Sequence, residues 1–165
     1  MPPSVANFGS LEKSISAVAN AYRGLKVENG FQFDVKTVYR ILLPEDSLGE
    51  VDCPAIMVVR PEGGSGTIRW QDERAYEEIL RLDVVGLLKS EGENAQDSAW
   101  ATTAEAFLSD LKRLQMTDPQ FGLGPAGEIK NSRIISDAND AGWDATTCIV
   151  GIGLELTVFF DGVNP

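Results

Sequence analysis

The stretch CIVGIGLELTVFF, residues 148 to 160, constrains the fold more than any other part of the chain. Read at a period of two, Cys148, Val150, Ile152, Leu154, Leu156, Val158 and Phe160 share one face of a β-strand. The opposite face reads Ile149, Gly151, Gly153, Glu155, Thr157 and Phe159. At about 3.3 Å per residue such a strand spans roughly 40 Å, against a usual length of about 5 to 6 residues. One face is uniformly apolar and must lie on a core. The other is opened by glycine and made polar by Glu155 and Thr157, so a bend, a close backbone approach or a contact with a neighbouring molecule can explain it.

The rest of the chain supplies the partners. Phe8, Leu11, Ile15, Val18, Tyr22 and Leu25 recur at helical spacing and predict an amphipathic helix that ends at Gly24. From Phe33 the period changes to two, predicting a strand through Leu42 that stops at Pro44. Ala55 to Arg60 is a short β-branched run. Tyr76 to Leu88 is a second long strand, with Leu80, Leu82, Val84, Gly86 and Leu88 on one side. Trp100, Ala104, Phe107, Leu108, Leu111 and Leu114 predict a second helix that ends before Pro119. Ile129 to Ser136 and the 148–160 stretch close the order α-β-β-β-α-β-β. The expected fold is α+β: one domain over residues 1–165, with a largely antiparallel sheet and both helices packed on one face. Glycine and polar composition place flexible loops near 44–54, 62–74 and 118–128.

Composition narrows the function classes. The 165 residues carry a net charge of −11, and the 76 residues from 90 onward hold 12 acids against 4 bases, or −8 of that total. This balance repels phosphate backbones and gives no basic stripe for reading nucleic acid, although a surface past which DNA slides should not bind it. No apolar run approaches the roughly 20 residues of a membrane helix, and the N-terminus has no signal-peptide pattern. Cys53 and Cys148 lack a CxxC spacing and read as free thiols.

Histidine is absent, so neither a Ser-His nor a Cys-His nucleophile can be built from this chain. EGGSGTIRW lacks the lysine and spacing of a phosphate loop. DANDAGWD begins like a calcium loop at Asp137, Asn139 and Gly142, but position twelve is Cys148 where a glutamate is needed, and a solvated hairpin turn is the simpler expectation. Ser10 and Lys13 match an SxxK spacing without the accompanying KTG. Asp72, Glu73, Glu77 and Glu78 are neighbours in a charged segment whose adjacent residues face opposite ways on a strand, which does not suit a metal site. The expectation is therefore no enzyme, no cofactor and no metal.

Taken in order, the helix FGSLEKSISAVANAYRGL, the strand FDVKTVYRILL, the run CPAIMVV after an acidic loop, the strand EEILRLDVVGLL, the helix AWATTAEAFLSDLKRL and the closing IGLELTVFF resemble the tail terminator proteins of long-tailed bacteriophages, with their related minor tail and neck completion proteins. The resemblance implies a virion protein of the tail and neck region, assembled in the host cytoplasm. It would form a homo-oligomeric ring, usually a hexamer, that caps the tail tube, terminates its growth and joins tail to head. The implied partners are other copies of the chain, the tail tube protein, a head-tail connector or neck protein, and a sheath protein if the tail contracts. DNA would pass through the lumen without specific binding. A head-closure connector or collar ring, and a tail-tube or baseplate component, are the alternatives.

On this reading the polar sheet face with Arg81, Asp83, Glu155 and Thr157 packs on a neighbouring subunit or faces the channel. The stretch containing Glu62, Gly63, Gly64, Ser65, Gly66, Arg69 and Trp70 is expected to project as a ring- or tube-contacting arm, with Trp70 as an aromatic anchor.

Overall fold

A computed structural model describes residues 5–61, 65–70, 75–89, 98–123, 129–140 and 147–161. Among these residues two α-helices, α1 (Val5–Arg23) and α2 (Ser98–Thr117), accompany six strands: β1 (Thr37–Tyr39), β2 (Ala55–Val59), β3 (Ser65–Trp70), β4 (Ala75–Lys89), β5 (Ile129–Asp140) and β6 (Thr147–Asp161). The strands form one sheet in the order β1-β2-β4-β6-β5, with β3 pairing the first half of β4 beside this path. Among the described strands, only β1 and β2 run parallel. All other pairs are antiparallel. The fold is the expected α+β, with a mostly antiparallel sheet.

Two long strands form the spine. β4 and β6 pair without a break from Ala75↔Asp161 to Lys89↔Thr147. Their length follows from the period-two pattern, which continues through both segments, so every second residue of each finds the core. Leu80, Leu82, Val84, Val150, Leu154 and Leu156 are fully buried in one cluster with Val18 and Tyr22 of α1 and Phe107 and Leu111 of α2. Each such side chain contributes about 1.5–3 kcal/mol by leaving water. Both helices thus lie on the even-numbered face of the spine.

Polar contacts fix the helices to particular partners. The buried Tyr22 hydroxyl donates to the Leu111 carbonyl at 3.1 Å, joining α1 to α2. Gln115 donates to the Ser132 carbonyl at 3.0 Å and to its hydroxyl oxygen at 2.9 Å, and that hydroxyl donates to the Pro119 carbonyl at 2.6 Å. Buried polar groups on α2 and β5 are satisfied by one another, which specifies how the helix seats.

Several expectations are corrected. The early strand predicted over residues 33–42 is only three residues long. The amide of Val35 donates to the Leu25 carbonyl at 3.0 Å and that of Lys36 to Pro54 at 2.8 Å, so these residues bind the end of the helical region and the start of β2 instead of entering the ladder. Ile41 and Leu42 are exposed beyond it. The expected flexible loop over 44–54 contains a 3-10 turn, Glu45–Glu50, held by the burial of Leu48. Part of the 118–128 loop is also ordered: Asp118 accepts from the amides of Gln120 and Gly122, and Phe121 is buried with its ring 6.2 Å from that of Tyr22. The segment expected as a loop from 62 contains β3, which adds a strand to the predicted order. Within the turn expected at residues 137–147, Asp137 to Asp140 instead extend β5, and residues 141–146 lie outside the described residues. Asp137 forms an ion pair with Lys112, and Asn139 donates to Glu105 at 2.6 Å. Both residues are used to bind α2, and Gly142 of the calcium-loop pattern lies outside the described residues.

Candidate functional site

The odd-numbered face of the spine is divided into two halves. Over one half, the chain covers itself. Leu48 and Val51 of the 44–53 shoulder pack on Ala55, Met57 and Leu87, with Val85 and Ile149 at the margin. Lys89 fastens the shoulder by donating to the carbonyls of Gly49 and Val51, each at 2.6 Å. Leu48, Val51, Ala55, Met57 and Leu87 are therefore a second small core, against which Val85 and Ile149 pack.

Over the other half, the register of β4, β6 and β5 sets out rows of polar side chains. Arg81, Glu155 and Arg133 are directly paired across the three strands. Arg133 binds Glu155 through Nε at 2.8 Å and Nη2 at 2.6 Å, and the Arg81 Nε lies 3.7 Å from the other carboxylate oxygen. The Glu155 side chain is 12% exposed beneath arginines that are 56% and 70% exposed. Two cations thus cover one carboxylate while remaining largely in solvent.

The next row is Ile79, Thr157 and Asn131. Beyond it, Lys130 lies over the Phe159 ring at 4.8 Å and pairs with Glu77. In the opposite direction, Asp83 pairs with Gly153, which pairs with Ser136. Asp83 has no ion-pair or hydrogen-bond partner among the described residues, and partial burial raises its carboxyl above the ordinary aspartate range.

The two glycines on this face differ. A Cβ on Gly153 would fall 2.4 Å from Ser136 Oγ and 3.4 Å from Ile135 Cγ1, so the bulge in β5 between Ile134 and Ser136 occupies its place. A Cβ on Gly151 would meet nothing closer than the Val84 carbonyl at 3.4 Å. The bare face of the strand is thus partly filled by its own neighbour. A second bulge lies between Ile129 and Asn131. The two bulges sit on the outermost strand, where such irregularities discourage pairing with another strand.

Of the residues singled out from sequence, Arg81, Asp83, Glu155 and Thr157 share this open half-face. Ser65, Gly66, Arg69 and Trp70 lie in β3, and the backbone register sets Arg69 opposite Glu77 and Trp70 opposite Tyr76. They extend the sheet instead of projecting from it as an arm, because backbone pairing to β4 absorbs the segment. Glu62, Gly63 and Gly64 lie outside the described residues, as do Asp72, Glu73 and Trp143. Sequence reasoning missed Lys130, Asn131 and Arg133. The only signal was opposite charge on separate strands, which becomes a pair only when the register is known.

This arrangement suits recognition of a charged surface. Among the described residues, no group of three or more carboxylates or cysteines is placed to hold a metal ion. Glu77 and Glu78 point to opposite faces, Glu77 toward Lys130 and Glu78 toward Arg60 at 3.6 Å. Among the described residues, no helix is long and apolar enough to cross a membrane. No known family profile matches the chain, and no curated protein sequence matches it significantly.

Proposed function

We propose that this chain is a structural protein of a long-tailed bacteriophage virion that assembles into a ring, caps the tail tube and joins it to the neck. The observation that carries this reading is the open half-face. A chain of net charge −11 presents there Arg81, Arg133 and Lys130 beside Glu155, Glu77 and Asp83, three bases against three acids. Two such acidic molecules repel over most of their surfaces and approach most easily where charge is balanced. The order of elements and the single layer of helices on one side of the sheet support the same assignment.

The mechanism makes and breaks no covalent bond. Self-association builds a closed ring, recognition of the tube end stops further addition, and the surplus acid lets DNA pass with little adhesion. Its partners are other copies of itself, the tube protein and a neck protein, and it works in the virion.

The test is incubation of the purified protein with purified tail tubes, followed by electron microscopy and native mass spectrometry. Closed rings at the head-proximal end of the tubes support the reading. Binding to the portal complex in place of tubes assigns the protein to a head-closure ring, and open polymerisation assigns it to the tube itself.

A further inference from the structure

On the same face of the sheet, the covered half exposes acids, whereas in the charge-balanced open half the cations Arg81, Arg133 and Lys130 stand further into solvent than Glu155 and Glu77. The shoulder over residues 44–52 contains Glu45, Asp46, Glu50 and Asp52 and no base. All four acids are exposed. Asp52 pairs with Lys36 at 2.9 Å, whereas Glu45, Asp46 and Glu50 have no hydrogen-bond or ion-pair partner among the described residues. The open half holds the exposed cations Arg81, Arg133 and Lys130. Each guanidinium carries five N–H donors, and Glu155 engages Arg133 through two nitrogens and Arg81 through one.

We infer that the acidic shoulder of one copy docks on the open half-face of a second copy, against Arg133, Arg81 and Lys130. Such a contact repeats between molecules the covering that the shoulder already provides within its own chain. The shoulder is an ordered body, braced by Leu48 and by the two Lys89 bonds, so docking it does not require a loop to freeze. Exposed Ile135, beside the Gly153–Ser136 packing, supplies an apolar element at the patch.

The contact joins two different surfaces, so it is head-to-tail. Successive copies add with the same rotation and close into a ring when that rotation divides a full turn. Face-to-face pairing of identical patches would instead stop at a dimer. This assignment rests on the ring-forming reading above and names the surfaces that make the ring.

The experiment uses two charge-reversed variants of the full chain. Arg133→Glu with Lys130→Glu reverses the open half-face and leaves Arg81 to hold Glu155. Glu45→Lys with Glu50→Lys reverses the shoulder. Native mass spectrometry at matched concentration should show the ring population of each variant alone reduced by about tenfold or more, with circular dichroism confirming an intact fold. An equimolar mixture should recover rings of alternating composition, because a reversed shoulder fits a reversed face and a native shoulder fits a native face. Wild-type rings that survive both reversals, or a mixture that fails to recover, overturn the docking assignment alone. A wild-type chain that remains monomeric at every concentration and on tail tubes overturns the ring reading and the contact together.

Discussion

Gly86 lies directly beneath the Phe107 ring: a Cβ built on the glycine would fall 2.5 Å from Phe107 Cε1 and 3.1 Å from Val150 Cγ2. The glycine interrupts the apolar face of β4 so that Phe107, the largest fully buried side chain of α2, can seat on the sheet. Gly86→Ala is expected to destabilise the fold by about 1–3 kcal/mol through overpacking. Urea unfolding measures this, and Phe107→Leu in the same background should recover part of the loss. An alanine variant as stable as wild type contradicts the packing relationship.

The glycines of β6 should separate in the same assay. Gly153→Ala meets Ser136 Oγ, a side-chain atom that can turn away, so a moderate loss of about 1 kcal/mol is expected. Ser136→Ala should relieve it. Gly151→Ala, with only ordinary contacts, should change stability by less than about 0.5 kcal/mol. Equal losses at both positions would assign the glycines to a backbone requirement instead.

Asp83 gives a pH dependence of defined sign. Its folded value lies above its unfolded one, so the folded form holds the proton more tightly. The resulting stability is present below the unfolded value and lost as pH rises through the folded one. Asp83→Asn should therefore raise stability at neutral pH by about a few tenths of a kcal/mol, after screening at this partly exposed site. The gain should vanish near about pH 3. Paired unfolding curves at the two pH values check it, and a neutral-pH loss in the variant would reveal a partner for the carboxylate.

The two thiols should react differently. Cys148 is fully buried on the core face, and burial, with Asp140 nearby, pushes its thiol up to about 11. Cys53 is half-buried and also raised by burial. Iodoacetamide at mildly alkaline pH should add one label slowly, at Cys53, with the second appearing only in denaturant. Intact mass followed by peptide mapping reads this, and early labelling of Cys148 would show that β6 opens in the native state.

Tyr22→Phe removes the single hydroxyl bond from α1 to the Leu111 carbonyl and should cost about 1 kcal/mol, measured by thermal or urea unfolding. The small value is expected because the phenylalanine keeps the packing of the ring against Phe121.

The sequence by itself determined the two long strands, the two amphipathic helices and the face of the sheet on which they lie, because hydrophobic period is local and survives without knowledge of partners. It also marked Arg81, Asp83, Glu155 and Thr157 as polar residues on a face other than the core. Only the tertiary structure decided that β3 pairs with β4, that β1 runs parallel to β2, and that the chain's own shoulder covers Ile149 and Val85. The clamp of Arg81 and Arg133 on Glu155 likewise depends on strands whose residues are 22 and more positions apart in sequence. Register and strand order are properties of non-local pairs, and many pairings satisfy the same alternating pattern until one set of side chains packs together. The spine was legible because every second residue announced it. The open half-face was not, because its charges acquire meaning only from the strands beside them.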